Sequence, residues 1–383
     1  MTGPSLMRVA HVSDVYLPQL GGIETFVDSL VRRQRALGTD ARVLTWSRAQ
    51  TARGADPDPE FVHRGSRARL RRLLLSGGFD AVHVHVSLFS PLGMSLASTA
   101  IGAGLPTAVT VHSMWPDSAA LVRPAGAGLR LAGRPIAWSA VSRPAAVPLR
   151  RALGGGVAVD VVTNAVDTAW WATAPERGPA SRTWRQAPDE ILVVSLMRMA
   201  PRKRPMALLR TLRAAGRLTG ETRLRLVCAG DGPLLDRAAR AARRWGLAVD
   251  LPGRLSPEQS RDLLHQADVY IAPADLESFG LAALEARSAG VPVLAKAAGG
   301  VGEFVADGVE GRLVTDDTEL ACALAQLVTD PGLRRTMAGH NARVEPATTW
   351  PVTLDAVQAL YDRAAAIVGR TLPSYRLHEV GAP

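Results

Sequence analysis

The sequence predicts an α/β protein built from two doubly wound domains. Its 383 residues are enough for two independent cores. Hydrophobic residues make up 47% of the chain and charged residues 21%, which is an ordinary globular balance. Short apolar strands alternate with helical patterns in both halves, and an irregular stretch separates the halves. This alternation is typical of parallel sheets with right-handed crossovers, so we expect two domains facing each other across a cleft.

The N-terminal half opens with an apolar strand at Leu6–Val12, followed by a helical pattern that starts at Glu24. The segment from Ala81 to Pro116 carries no charged residue except histidines, which raises the question of a membrane span. Its prolines and glycines favour two buried strands with a helix between them. Further strands are predicted at Ala41–Trp46, Ala81–Val86, Thr107–Val111, Ile136–Val141 and Val159–Val162, and a basic helix near Arg67–Leu75.

An irregular stretch at residues 165–189 predicts the interdomain linker. We therefore expect an N-terminal domain at 1–168, a C-terminal domain at 169–349 and a mobile polar tail at 369–383. Strands are predicted at Ile191–Leu196, Leu224–Ala229, Val269–Ala272, Val291–Ala295 and Arg312–Val314. Helices are predicted at Pro205–Leu218, Pro233–Trp245, Pro257–His265 and Leu281–Ala289, and from Asp316 to about Val368.

Composition excludes several classes of protein. The net charge is +10, but nearly all basic residues are arginine, which indicates codon bias more than a nucleic-acid partner. The only cysteines, Cys228 and Cys322, offer neither a disulfide framework nor a thiolate metal cluster. Since the N-terminus also lacks the apolar core of a signal peptide, we expect a cytoplasmic protein.

The segment from Ala274 to Ala286 carries the most chemistry. Glu277 lies in a short loop after a buried strand, and a helix is expected to begin near Phe279. Free backbone N–H groups at a helix start bind phosphate oxygens. Glu277 could bond sugar hydroxyls, and Glu285, on that helix, could bond the vicinal hydroxyls of a ribose. The alternative is two surface glutamates on a solvated helix.

Basic and glycine residues follow other strands. Arg198 and Lys203 come after a strand end, where they could neutralise a leaving diphosphate; the alternative is two ordinary surface charges. Gly21 and Gly22 would let the backbone approach a ligand and adopt positive φ, or would simply form a tight turn. Lys296 is interpreted as a surface residue.

Three other patterns are weaker. His112 lies at a strand end, and His83 and His85 alternate on another strand as buried or rim residues without a third metal ligand at suitable spacing. The Asp-Pro-Asp at 56–58 is rejected as a metal motif because it does not follow an apolar strand. Gly230 and Gly232 resemble part of a dinucleotide fingerprint, but Leu235 stands where the third glycine belongs, which argues against hydride chemistry.

Together these residues match a known family. The string ESFGLAALEARSAGVPVLAKAAGGVGEFVADGVEGRLV resembles the nucleotide-sugar signature of retaining GT-B glycosyltransferases, in particular glycosyltransferase family 4 (group 1), with two glutamates separated by seven residues. The segments at 16–24, 195–203 and 230–234, and His112, resemble other motifs of the family in the same order. The chain departs from the usual pattern at Met197, at Asn164-Ala-Val-Asp167 and at Arg204, where glycine is usual.

The resemblance implies a GT-B fold and a retaining, metal-independent hexosyltransferase that uses a GDP- or UDP-sugar and forms an α-glycosidic bond. The product would be a glycan, a glycolipid or a glycosylated metabolite. No cofactor and no metal are expected. The implied catalytic residues are Arg198, Lys203, Glu277 and His112. The implied donor-binding residues are Gly21, Gly22, Gly230, Arg254, Ser278, Phe279, Gly280, Leu281 and Glu285.

The resemblance also implies partners. The N-terminal domain would bind a sugar, lipid-linked or small-molecule acceptor, and a helix at about 350–368 would cross back onto that domain. The basic segment Arg64–Leu75 has an apolar side, which would suit a peripheral contact with the anionic inner face of a membrane. The alternative is a helix that covers the sheet. Two other functions stay open: a catalytically idle nucleotide-sugar-binding subunit, and a GT-B epimerase or phosphorylase.

Overall fold

The protein contains two parallel, Rossmann-like sheets, as the sequence predicts. The structure is a computed structural model that describes residues 6–18, 21–48, 60–115, 133–154, 156–176, 182–220 and 223–373. Its contacts divide the chain into two units. Unit 1 comprises Met1–Asn164 with Pro351–Pro383, and unit 2 comprises Ala165–Trp350.

Unit 1 is a seven-stranded sheet in the order β3-β2-β1-β4-β5-β6-β7, with parallel pairing between neighbours. Its strands are β1 Arg8–Ser13, β2 Asp40–Thr45, β3 Val62–Arg64, β4 Ala81–Val86, β5 Thr107–Val111, β6 Ala137–Ala140 and β7 Val159–Val161. The helices before residue 164 are α1 Gly22–Ala36, α2 Arg67–Ser76, α3 Pro91–Gly102 and α4 Arg143–Leu153. The uncharged segment is therefore two buried strands around a helix, as predicted.

Unit 2 begins with a short helix, α5 Thr168–Ala172, inside the stretch expected to be a linker. Its six-stranded parallel sheet has the order β10-β9-β8-β11-β12-β13. These strands are β8 Ile191–Leu196, β9 Leu224–Ala229, β10 Val249–Asp250, β11 Val269–Ala272, β12 Val293–Lys296 and β13 Gly311–Val314. The helices are α6 Pro205–Thr219, α7 Leu235–Arg244, α8 Pro257–Leu264, α9 Leu281–Ser288, α10 Asp317–Thr329 and α11 Pro331–Arg343.

The last helix, α12 Trp350–Ile367, lies against unit 1. Tyr361 is fully buried and its hydroxyl lies 3.0 Å from Nδ1 of His83. The hydroxyl of Thr353 donates to the carbonyl oxygen of Thr163, and Arg363 pairs with Asp160. Residues 374–383 of the tail lie outside the described residues, as does the rejected motif at 56–58.

The leucines of the basic helix α2 are mostly turned to the core. Leu70 and Leu74 are buried and Leu73 packs against the same core, whereas Leu75 is exposed. Arg67, Arg69, Arg71 and Arg72 are exposed. The helix therefore covers the sheet, which is the alternative that the sequence left open. Of the helices the structure describes, none combines the length and the hydropathy needed to cross a bilayer.

Candidate functional site

Lys203 and Glu277 meet at the carboxyl ends of the strands of unit 2. Lys203 lies in a 3₁₀ turn, Pro201–Lys203, that follows β8, and Glu277 lies in the loop after β11. Their charged atoms, Nζ and Oε2, are 2.5 Å apart. Because β8 and β11 are adjacent in the sheet, their following loops emerge side by side. In such sheets this edge is where ligands bind.

Two glycines hold the turn that carries Arg198. Gly230 and Gly232 have φ of 135° and 150°, and a Cβ on Gly230 would lie 1.8 Å from the carbonyl oxygen of Met197. Only glycine fits so close to a neighbouring backbone. The N–H of Met199 donates to the carbonyl of Asp231, which ties the two turns together. Arg198 is exposed at this edge.

The loop of Arg254 joins the same edge. The N–H of Gly230 donates to the carbonyl of Gly253 at 2.7 Å, so the turn after β9 and the loop after β10 are in direct contact. Arg254 itself is exposed. The structure thus brings the basic pair, the Gly230 turn and Arg254 to one edge of the unit 2 sheet.

Helix α9 begins at this edge with its N-terminus supported by glycines. Gly280, its N-cap, has φ of 97°, and a Cβ on Gly300 would lie 2.3 Å from the carbonyl of Ser278. The N–H of Gly300 donates to the carbonyl of Glu277 at 2.8 Å. Since the first turn of a helix leaves N–H groups without intrahelical partners, the start of α9 offers donors to an anion.

Glu285, on α9, has an unusual protonation equilibrium. Its side chain is half-buried, and burial raises its pKa from 4.5 to about 7. A carboxyl group that loses its water in this way is held for a polar ligand or carries a cost in stability. No local sequence pattern indicated this pKa shift, because the shift comes from burial and not from a charged neighbour.

A four-charge cluster beside the site was missed by the sequence analysis. Arg204 has φ of 56°, the only positive φ outside glycine among the described residues. Its guanidinium bonds both carboxylate oxygens of Asp317 and also contacts Asp275. The neighbouring Arg204 and Lys296 lower the pKa of Asp317 to about 2.

Lys296 was wrongly interpreted as a surface residue. Its side chain is 3% exposed, and its ammonium lies 2.9 Å from Asp317. Lys296 ends β12, so the sheet itself directs it into the cluster. One sequence feature could have indicated the charge cluster, namely Arg204 at a position where glycine is usual. An arginine at a glycine position needs compensating contacts, and two aspartates supply them.

In unit 1, the glycine loop differs from expectation. Gly21 is the N-cap of α1 with an extended φ of −165°, and Gly22 opens the helix; neither has positive φ. A Cβ on Gly21 would lie 2.5 Å from the carboxylate of Glu24. The Glu24 carboxylate is the end of a flexible side chain that can move aside, so neither crowding nor backbone conformation requires glycine at position 21.

His112 is part of a buried cluster and is not an isolated strand-end residue. It follows β5, with its N–H donating to the carbonyl of Val86, and the residue is 6% exposed. Its Nε2 lies 3.0 Å from Nδ1 of His85, and Nε2 of His85 lies 3.0 Å from Nδ1 of His11. Burial lowers the pKa of His112 to about 3 and that of His11 to about 4.

Sequence spacing shows no third metal ligand for His83 and His85, but the fold brings a candidate close to them. His11, on β1, places a ring nitrogen within 4.8 Å of one from each of them. Sequence spacing could not show this, because β1 and β4 pair in register only in the folded sheet. Yet both ring nitrogens of all three histidines have a hydrogen-bond partner. An ion would have to displace those bonds.

Comparisons with known proteins identify the family and the fold. The model of glycosyl transferases group 1 matches residues 179–344, and the model of glycosyltransferase family 4 matches residues 20–170. Among solved structures, Anabaena HepE in complex with UDP-glucose is similar in fold, with a TM-score of 0.67 and 18% identity over 95% of this chain and 99% of that chain.

Curated relatives carry a more specific name. The D-inositol 3-phosphate glycosyltransferase of Actinosynnema mirum is 35% identical over 50% of this chain and 49% of the relative, so the match spans about half of that relative's length. The protein of the same name from Thermobispora bispora is 27% identical over 92% of both chains. The two family models together span most of the sequence, and the chain belongs to the group 1, family 4 glycosyltransferases of the GT-B class.

Proposed function

We propose that this protein transfers a hexosyl unit from a nucleoside-diphosphate sugar to an acceptor hydroxyl, with retention of the α-configuration and without a metal. The observation that carries the proposal is the Lys203–Glu277 ion pair beside exposed Arg198 and the start of α9. This edge combines cations, N–H donors and carboxylates, which are the groups that a sugar diphosphate needs.

The chemistry follows from where charge develops. As the bond between the anomeric carbon and the diphosphate oxygen breaks, negative charge accumulates on that oxygen. Arg198, Lys203 and the N–H groups of Phe279, Gly280 and Leu281 would stabilise this charge more in the transition state than in the ground state. The acceptor hydroxyl attacks from the same face, and its proton passes to the leaving phosphate. No separate carboxylate base is required.

The remaining groups at this edge of the unit 2 sheet would recognise the donor. Glu277, once its ammonium partner turns to the phosphate, would accept bonds from sugar hydroxyls, and Glu285 would accept bonds from the ribose. Arg254 would lie near the base. Ser278 and Gly230 would shape the phosphate subsite of the donor. Roles for Gly21, Gly22 and His112 of unit 1 stay predictions from the family resemblance.

The names of the curated relatives suggest a first acceptor to try. A phosphorylated polyol such as D-inositol 3-phosphate offers several hydroxyls and a dianion to an arginine-rich protein. A lipid-linked acceptor at a membrane remains the second choice, supported by the exposed arginines of α2.

Thermal unfolding with UDP, GDP and ADP would identify the base. A specific nucleotide at a hundredfold excess over its Kd should stabilise the protein by about 2.7 kcal/mol. The matching sugar nucleotide is then incubated with D-inositol 3-phosphate, and the product is detected by mass spectrometry and its anomeric configuration by NMR. A product of inverted configuration, or donor epimerisation without an acceptor, would contradict the proposal.

A further inference from the structure

The histidine network of unit 1 comprises a single run of hydrogen bonds. Its members are His112, His85, His11, Gln34, Tyr361, His83, Thr110 and Ser139, and it ends on the backbone carbonyl of Val109. All eight side chains are buried. Gln34 comes from α1 and Tyr361 from α12, whereas the other members lie on the sheet or directly after a strand.

Each ring in the network carries one proton. Burial keeps the pKa of His11 at about 4 and that of His112 at about 3, and holds those of His83 and His85 well below 6.5. A neutral imidazole has one N–H donor and one acceptor nitrogen. Every bond in the run therefore constrains the direction of the next.

The carbonyl of Val109 fixes that direction, because it can only accept. The Ser139 hydroxyl donates to it at 3.4 Å, so Ser139 must accept from Thr110, at 2.7 Å. Thr110 then accepts from Nε2–H of His83. Nδ1 of His83 is left to accept from the Tyr361 hydroxyl.

The amide of Gln34 continues the same direction. Its Nε2 donates to the Tyr361 oxygen, and its Oε1 accepts from Nε2–H of His11 at 2.6 Å. Nδ1 of His11 must then accept from His85, and Nδ1 of His85 must accept from Nε2–H of His112. The orientation of Gln34 and the carbonyl of Val109, at opposite parts of the run, thus require the same polarity.

The run ends at an unused lone pair. Nδ1 of His112 is buried and has no hydrogen-bond partner among the described residues. We propose that the histidine network fixes His112 in the Nε2–H tautomer, so that its Nδ1 can only accept a hydrogen bond from a ligand. The ligand atom must then carry a proton, as a sugar hydroxyl does and a phosphate or carboxylate oxygen does not. This role for His112 rests on the function proposed above, and Gln34, His11 and His85 become positioning residues.

Tautomers can be read directly by NMR of ¹⁵N-histidine-labelled, ligand-free full chain. We expect His11, His83, His85 and His112 all to be protonated at Nε2 and unprotonated at Nδ1. A protonated Nδ1 on His112 would overturn the proposal. Because this measurement needs neither donor nor acceptor, its result is independent of whether the protein transfers sugars.

A substitution at the far end should release the run from its fixed direction. Thr110→Val removes the acceptor for His83 while keeping the shape of the side chain. Either direction of the run then leaves one buried N–H without a partner, on His83 or on His112, so the four rings should show both tautomers. Thr107→Val is the matched control: Thr107 is buried on the same strand, but its hydroxyl bonds the carbonyl of Leu105, outside the network. We expect wild-type tautomers in the control; unchanged tautomers in Thr110→Val would contradict a polarity that is set from the Thr110 end.

Turnover measurements test whether the network affects catalysis. With the donor and acceptor identified by the transfer assay, Thr110→Val should lower kcat by the fraction of His112 that NMR finds in the Nδ1–H tautomer. Thr107→Val should keep wild-type kcat. Mixed tautomers with unchanged kcat would show that the network does not position His112 for catalysis. Should Thr110→Val fail to fold, the wild-type tautomers still decide the polarity.

Discussion

The ammonium of Lys203 and the carboxylate of Glu277 lie 2.5 Å apart, so two groups that would separately contact a sugar diphosphate hold each other in the ligand-free protein. Lys203 is 38% exposed and Glu277 15% exposed in their side chains, which makes the pair partly screened. A ligand anion can replace Glu277 as the partner of Lys203, and sugar hydroxyls can replace Lys203 as the partners of Glu277.

This pairing predicts coupled stability effects. Lys203→Ala and Glu277→Ala should each lower the free energy of unfolding, and the double variant should be less destabilised than the sum of the singles. The difference should be about 0.5–1 kcal/mol, as for a partly exposed ion pair. Urea unfolding of the four proteins measures it. Strict additivity would mean that the pair contributes nothing to the ligand-free state.

Arg198 should act on turnover with little effect on stability. Its guanidinium makes no hydrogen bond or ion pair with the residues that the structure describes, so Arg198→Ala should unfold like the wild type. Loss of a charge aimed at the leaving group should cost about 3 kcal/mol in the transition state, which is roughly a hundredfold in kcat. Arg240→Ala, exposed on α7, is the control. Equal kcat in both variants would remove Arg198 from the site.

Glu285 should make stability fall as pH rises. Its folded pKa of about 7 is above its ordinary value of 4.5, so the folded state binds the proton more tightly than the unfolded state. The resulting stabilisation of the folded state is fully present below about pH 4.5 and is lost as the pH rises through 7. The stability of Glu285→Gln relative to the wild type should therefore rise from pH 5 to pH 8. The rise should be about 1–2 kcal/mol, because the carboxyl group retains some contact with solvent. Chemical unfolding at both pH values checks it; an equal difference at the two would disprove the shift.

At position 204, glycine should be more stable than alanine. Both substitutions remove the ion pairs with Asp317 and Asp275, but only alanine keeps a side chain at φ of 56°. Left-handed backbone costs an L-residue about 1 kcal/mol, so the free energy of unfolding of Arg204→Gly should exceed that of Arg204→Ala by that amount. Thermal unfolding of the two variants compares them directly. If alanine were equal or better, the turn would not need this conformation.

Chelators should not affect transfer. The charge on the leaving group would be neutralised by Arg198, Lys203 and the start of α9, and the ring nitrogens of His11, His83 and His85 are engaged in hydrogen bonds. Turnover in EDTA should equal that in buffer alone. Strong inhibition that Mn²⁺ or Mg²⁺ reverses would refute the metal-free mechanism.

Sequence patterns were sufficient for the sheets because a buried parallel strand leaves a short apolar run that local reading detects. β4, β5, β8, β9 and β11 have the bounds expected for them. The short edge strands β3 and β10, of three and two residues, were missed since they carry almost no periodic signal.

Site geometry was only partly accessible in the same way. Motifs placed Lys203, Glu277 and the start of α9 near strand ends, and the sheet order then brought them together. Contacts between segments that are distant in the chain produce no local sequence motif. Tyr361 reaching His83, His11 reaching His85, and Lys296 reaching Asp317 depend on which strands and helices become neighbours, which no local pattern encodes.

Helix α12 gives the folding of unit 1 an order in time. The ribosome delivers residues up to Asn164 first and Tyr361 only after all of unit 2. At 5–20 residues per second, roughly 200 intervening residues delay Tyr361 by about 10–40 s. Throughout that interval His83 and Gln34 lack the hydroxyl that joins them. A nascent chain can therefore complete its second unit before its first.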